Sequence, residues 1–286
     1  MNIAEMLSSP ILFKIILRAA SVGVLVSLSA SVLGVTMVLR RMSMIGDGLA
    51  HAGFGALAVA TLLDSTGEFN LEISIPIVML TAFLLMHLSE RGKMGGDAAI
   101  AVVSTAMITA GVIIFSMTTG YTADMCSSLF GSASVLTLTD KDLYLSIALS
   151  VAVLLVFILF YNRIFAVTFD ESFAAATGIR ARAYNMLISA LISVTVVIGM
   201  KMIGSVMISA IIVFPALTAM RVKKSFKGVI VTAACHAVFC FVLGFVLACE
   251  LDLPVGAAVV SVNLIVYVLV SAVVTLKNRK KLTEEV

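Results

Sequence analysis

Long uninterrupted runs of apolar residues recur along the whole chain, and they constrain its fold more than any other feature. A helix of about 20 apolar residues crosses the hydrocarbon core of a bilayer, which is about 30 Å thick. Nine such runs are bounded by charged residues, at about 15–39, 42–63, 74–90, 98–118, 143–160, 184–200, 203–220, 228–249 and 255–276. Because the sixth run is barely separated from the seventh, the sequence predicts an all-α membrane bundle of eight or nine transmembrane helices.

The composition agrees with this class of protein. Hydrophobic residues make up 61% of the chain and charged residues 12%, whereas a soluble domain carries about 25% charged residues. We expect a single transmembrane domain over residues 1–286, surrounded by lipid, and a retained N-terminal segment, since no cationic leader with a cleavage site precedes the first run. The net charge of +3, without a basic stripe, does not indicate a nucleic-acid partner.

The positions of Lys and Arg predict the orientation, because cytoplasmic loops retain positive residues. If Arg40 and Arg41 are cytoplasmic, regular crossing of nine spans puts nearly all of the 19 Lys and Arg residues on the inner side. The exceptions are Lys14, Arg18, Lys141 and Lys201. The N-terminus is then outside and the C-terminus inside. The outer segments are acidic, which either concentrates cations or merely solvates loops: Asp64, Glu68, Glu72, Asp124, Asp140, Asp142, Glu250 and Asp252.

Asp47 and His51, at the start of the second run, are the strongest candidates for chemistry. They are four residues apart, so they share one face of a helix. Ionisable groups in a membrane span usually face the bundle interior or a water-filled path. A carboxylate with an imidazole suits Zn²⁺, Mn²⁺ or Fe²⁺. The alternative is structural: Asp47 pairs with Arg40 or Arg41, and His51 bonds to a neighbouring helix.

His236, in the eighth run, is predicted to lie at about the depth of His51. This makes it a candidate third ligand, although a lone histidine on an apolar helix is more often a packing residue. His87 is predicted to lie at the membrane interface. The cysteines have no metal-binding spacing and no disulfide is expected: Cys126, Cys235, Cys240 and Cys249. No phosphate-binding loop, zinc-protease motif or hydrolase elbow occurs, so neither ATP hydrolysis nor another catalytic activity is predicted.

The largest cytoplasmic segment, residues 161–182, is predicted to contain a short helix that begins at Thr168 or Asp170 and ends at Gly178. A short helix beneath a membrane domain suits docking to a soluble partner.

Five collinear segments strongly resemble the permeases of ATP-binding-cassette importers for zinc, manganese and iron(II). They are VLRRMSMIGDGLAHAGFGALAVATLL (38–63), SSLFGSASVLTLTDKDL (127–143), FDESFAAATGIR (169–180), KMIGSVMISAIIVFPALTAMR (201–221) and LDLPVGAAVVSVN (251–263). The resemblance implies a helical architecture similar to that of the vitamin B12-type permeases. It also implies a permease dimer, a separate cytoplasmic ATPase and an extracytoplasmic metal-binding protein, with no permanently bound cofactor.

By the same resemblance, Asp47 and His51 match the polar pair along the metal path. The segment that couples to the ATPase matches Phe169, Asp170, Glu171, Phe173 and Gly178. Two other functions remain open. A secondary transporter driven by an ion gradient would carry more acidic residues within its spans, and an ABC permease for a metal chelate would need a wider path with aromatic and Arg contacts.

Overall fold

The computed structural model describes residues 10–64, 70–91, 96–118, 129 and 140–284. Within these ranges the chain forms helices and no strand. The helices are α1 (Pro10–Leu39), α2 (Ser43–Leu63), α3 (Asn70–Arg91), α4 (Gly96–Thr118), α5 (Asp140–Leu159), α6 (Tyr161–Phe169), α7 (Glu171–Ala176), α8 (Ala181–Ile203), α9 (Ser205–Val222), α10 (Phe226–Leu251) and α11 (Val255–Glu284). The predicted all-α class is confirmed.

Eight of the described helices are long and apolar enough to cross a membrane, namely α1 to α5, α8, α10 and α11. The remaining predicted run, 203–220, corresponds to α9, whose apolar part is the shorter segment Met207–Val222. Gly204 alone separates α8 from α9, with φ +94° and ψ 151°. Only glycine adopts this backbone conformation readily, so Gly204 breaks one long apolar stretch into two helices.

α1 and α2 lie at the centre of the bundle. α1 packs against α5, α8, α9 and α10, while α2 packs against α3, α4, α8 and α9. Glycines permit this close packing: a Cβ on Gly55 of α2 would lie 2.5 Å from the Met107 carbonyl oxygen of α4. Between membrane helices such contacts replace the hydrophobic effect as a source of specificity, because lipid tails are as apolar as the side chains.

Gly34 of α1 makes the tightest approach to a backbone atom, because a Cβ there would lie 2.1 Å from the carbonyl oxygen of Ile212 in α9. We expect Gly34→Ala to lower the free energy of unfolding by about 1–3 kcal/mol, since α1 and α9 must separate. Gly46→Ala is the matched control, because its Cβ would meet the side chain of the same Ile212 at 3.7 Å. Thermal unfolding in detergent measures both; equal melting temperatures would contradict the assigned contact.

Ion pairs mark the two ends of the bundle. Near one end, Arg18 pairs with Asp140, and Lys201 donates to Asp142 at 2.8 and 2.9 Å. At the other, Arg40 pairs with Glu171. Arg18 and Arg40 are separated by about 33 Å along the helix rise, close to the thickness of the hydrocarbon core.

These pairs modify the predicted acidic outer surface. Asp140 and Asp142 are engaged by Arg18 and Lys201, so their negative charge is largely compensated. Two other acids of that surface, Glu68 and Asp124, lie outside the described residues, as does Cys126.

Candidate functional site

Asp47 and His51 face each other near the start of α2. The distance from His51 Nε2 to Asp47 Oδ2 is 3.4 Å. The Ser209 side chain of α9 hydrogen-bonds Asp47, and the other imidazole nitrogen, His51 Nδ1, is buried with no hydrogen-bond partner among the described residues. Ser209 was not predicted as a site residue, because one serine in an apolar run carries no distinguishing signal.

The face of α2 that carries the pair is only partly covered. The Asp47 side chain is 44% exposed and that of His51 is 19% exposed, although most of α2 is buried. The glycines explain this asymmetry. Added Cβ atoms on Gly48 and Gly53 would approach Ile100 of α4 and Met200 of α8 within 3 Å, so the chain's own helices close around the other sides of α2. The pair is therefore held by a rigid helix at an opening of the bundle.

Asp47 does not pair with Arg40, one of the two arginine partners that the structural alternative proposed for it. Arg40 donates to Asn185 and Glu171 and not to Asp47. Asp47 instead contacts His51 and Ser209.

His236 lies in a different part of the bundle. It is on α10, with its Nε2 3.5 Å from Cys240 Sγ, and α10 packs chiefly against α1 and α11. Within the described part of the chain, no three His, Cys, Asp or Glu side chains are close enough to hold one metal ion. His236 therefore does not lie beside Asp47 and His51 within a single chain, although the sequence predicts a similar depth in the bilayer for the two histidines. His87 is exposed on α3.

The predicted cytoplasmic segment forms two short helices, α6 and α7, where the sequence analysis expected one. Asp170 separates them with extended backbone angles, φ −150° and ψ 100°. Its carboxylate accepts from the Phe173 amide at 2.8 Å, so Asp170 is the N-cap of α7. Gly178 ends the segment with φ +86°, a conformation that favours glycine after a helix. The predicted cap and stop are confirmed, with Asp170 and not Thr168 as the cap.

Two large apolar side chains project from this segment. Phe169 is 58% exposed and Phe173 is 63% exposed. Phe169 also packs against Phe165 and Phe226, with ring centroids 4.7 and 6.0 Å apart. α6 is thereby attached to the start of α10, while Phe173 remains available for contact with another molecule.

A closed hydrogen-bonded ring, which we call the Arg40 network, connects this segment to the membrane helices. It consists of Arg40, Glu171 and Asn185. Arg40 donates to Asn185 Oδ1 at 2.6 Å and to Glu171 Oε2 at 2.9 Å, and Asn185 Nδ2 donates to Glu171 Oε1 at 2.9 Å. Asn185 was not predicted as a site residue. The one feature of the sequence that could have indicated it is an amide side chain at the start of an apolar run.

Comparison with known proteins bears on both parts of the site. The profile of the ABC 3 transport family matches residues 12–274. A protein of Thermotoga maritima named "Probable metal transport system membrane protein" is 31% identical over 245 residues, covering 85% of each chain. The manganese import system permease ScaB of Streptococcus gordonii is 26% identical over 93% of this chain and 94% of its own. The zinc uptake membrane protein ZnuB of Haemophilus influenzae is 24% identical over 90% and 97%.

A solved structure supports the fold. PsaBC from Streptococcus pneumoniae, in complex with Fab, superposes with a TM-score of 0.82 at 24% identity, covering 94% of this chain and 95% of that one. The family profile and the collinear motifs extend over the same helices that carry Asp47, His51 and the α6–α7 segment. The chain therefore belongs to the ABC 3 transport family of membrane proteins, and the resemblance seen in its sequence is confirmed.

Proposed function

We propose that this chain is the membrane permease subunit of an ATP-binding-cassette importer, and that its cargo is a divalent transition-metal ion. The observation that carries the proposal is the Asp47–His51 pair, held at the open face of a central helix. The names of the relatives, which include manganese and zinc transport proteins, support the same class of cargo.

The separation of the two side chains suits a metal ion. Two ligand atoms that each lie about 2.1 Å from an ion at a tetrahedral angle are about 3.4 Å apart. This equals the distance between Asp47 Oδ2 and His51 Nε2. Imidazole and carboxylate together accept zinc, manganese and iron(II). A pair supplies few ligands, which suits transient binding along a path from which the ion must leave.

A second copy of the permease would complete the path. In one chain the Asp47 side chain remains 44% exposed, so the helices of a single chain enclose the Asp47–His51 pair on one side only. An ionisable group open to lipid is costly, and a partner copy would cover it. His236 stays a proposed ligand of lower priority, because it contacts Cys240 and lies on α10, which packs chiefly against α1 and α11.

The energy source and the donor of the ion are proposed to be separate proteins. A cytoplasmic ATPase would contact α7 and its neighbours at Phe169, Asp170, Glu171, Phe173 and Gly178. An extracytoplasmic binding protein would deliver the ion at the opposite end. In this orientation the N-terminus is outside, the C-terminus is cytoplasmic, and α9 crosses the membrane. The position of Arg40 beside Glu171, about 33 Å along α1 from Arg18, supports it.

Metal accumulation tests the proposed function. We expect cells that lack their own importers for manganese, zinc and iron to accumulate at least one of these metals when they express this chain with its ATPase and binding protein. Elemental analysis of washed cells measures the uptake. An ATPase variant that binds ATP without hydrolysing it should return the metal content to the background.

Each rival function has its own outcome in that experiment. Uptake that persists without ATP hydrolysis and is lost when the proton gradient is collapsed would identify a secondary transporter. Uptake of metal only when it is supplied as an organic chelate would identify a chelate permease. Either result would contradict the proposal.

A further inference from the structure

The Arg40 network joins three helices at the end of the bundle that carries α7. Arg40 directly follows α1, Glu171 is the first residue of α7, and Asn185 lies in the second turn of α8. Each of the three side chains contacts both others, through hydrogen bonds of 2.6 to 2.9 Å. α7 is thus tied simultaneously to α1 and to α8.

Two of the three members of the network are shielded from solvent, whereas the Glu171 side chain is 42% exposed. Asn185 is 1% exposed, and the Arg40 side chain is 13% exposed. Hydrogen bonds to charged groups are about twice as strong as neutral ones, and a low local dielectric strengthens them further. Removing Glu171 leaves polar groups of the shielded Arg40 and Asn185 unsatisfied. α7 therefore cannot move away from α1 without a cost, and the three elements α1, α7 and α8 move more easily as one body.

The connection from Arg40 to α2 is short and tightly bonded. Only Arg41 and Met42 separate Arg40 from the first residue of α2. Arg41 adopts φ +58°, which is uncommon for a residue with a side chain. Backbone hydrogen bonds hold this turn, from the Arg41 amide to Val38 at 3.0 Å and from the Met42 amide to Met37 at 2.9 Å. Displacement of Arg40 consequently displaces the beginning of α2, one turn before Asp47.

We propose that the Arg40 network is the transmission element between the ATPase-contacting helix α7 and the metal-binding pair on α2. Arg40 and Asn185 are positioning residues in this scheme, since neither contacts the Asp47–His51 pair. The inference rests on the proposed function of the chain. It adds the specific contacts by which a movement of α7 reaches the metal path through the turn between α1 and α2.

The coupling ratio in liposomes tests this proposal. The full complex, permease with its ATPase and binding protein, is reconstituted, and manganese uptake and ATP hydrolysis are measured in the same vesicles. We expect Arg40→Gln and Glu171→Gln to lower metal transported per ATP by about tenfold. Arg40→Gln, which alters a residue outside the ATPase-contacting set, should leave co-purification of the ATPase and the rate of ATP hydrolysis near the wild-type level. Arg41→Gln, at the neighbouring exposed arginine, is the matched control and should keep the wild-type ratio.

Two further variants distinguish transmission from simple support of the fold. The double variant Arg40→Gln/Glu171→Gln should be no worse than either single change, because the residues act as a unit. The reversed pair, Arg40→Glu/Glu171→Arg, should recover part of the ratio, because the Asn185 amide can rotate to present its donor and acceptor in the opposite sense.

Three outcomes are decisive. A ratio for Arg40→Gln equal to that of Arg41→Gln would overturn the proposal. Parallel loss of ATPase binding, hydrolysis and uptake would also overturn it, because the network would then only hold α7 in place. Failure of the proposed function is recognised separately, since wild-type vesicles would then show no uptake that depends on ATP.

Discussion

Replacing Asp47 by alanine is expected to reduce metal uptake by at least about 100-fold, to the background of cells without the transporter. Residues that merely support a metal ligand already change affinity by about 10- to 100-fold when they are altered. Loss of a direct ligand should have a larger effect. His51→Ala should behave in the same way, because a pair supplies few ligands and neither member can replace the other. Uptake of manganese, zinc and iron by intact cells measures both variants.

The amount of protein in the membrane separates this effect from misfolding. Removing an ionisable group from a span lowers the cost of membrane insertion, so we expect normal levels of both variants in isolated membranes. Asp97→Asn and His87→Gln are matched controls, because each alters an exposed residue of the same type on α4 or α3. Normal uptake by either alanine variant would refute the metal path through α2.

Replacing Lys201 by methionine is expected to destabilise the folded protein by about 3 kcal/mol, since it removes a cation that is bonded to both oxygens of a buried carboxylate. Asp142 is 2% exposed, and both of its oxygens accept from Lys201 Nζ. The Lys201 side chain is 32% exposed, which keeps the expected value at the lower end of the range for buried pairs. Thermal unfolding of the purified protein in detergent measures the change.

Two comparisons test the cause of this loss. Lys141→Met removes a lysine from the same end of the bundle. Because Lys141 is exposed, the melting temperature of this variant should stay near that of the wild type. The double variant Lys201→Met/Asp142→Leu removes the buried carboxylate as well and should recover much of the stability. A double variant less stable than Lys201→Met alone would show that the buried charge is not the cause.

Local features of the chain were predictable from the sequence. Each span must match the thickness of the hydrocarbon core, so the lengths of the apolar runs determined eight of the helices. Asp170 and Gly178 were predicted as the cap and the stop of a short helix. A helix cap needs a side-chain acceptor and a helix end favours a residue with positive φ, and both requirements depend only on the local backbone. The shared face of Asp47 and His51 followed from the helical repeat alone.

The partners of these residues were decided by the tertiary structure. Arg40 bonds to Glu171, 131 residues away, and Lys201 bonds to Asp142, 59 residues away. His236 shares a depth with His51 in the sequence interpretation, yet α10 packs chiefly on α1 and α11. Helical periodicity reports which residues share a face, but it contains no information about which helix covers that face.

In lipid the apolar surfaces of different helices are chemically alike, so their arrangement depends on shape and on a few polar contacts. The sequence by itself therefore determined the membrane-spanning helices, the cap and stop at Asp170 and Gly178, and the family of this protein. Only the tertiary structure decided that α2 leaves its Asp47 face open, that Asp140 and Asp142 are paired with Arg18 and Lys201, and that α7 is tied to the start of α2 through Arg40. The physical reason is that these features depend on contacts between residues far apart in the chain, where small residues such as Gly34 and Gly55 permit the backbones to meet.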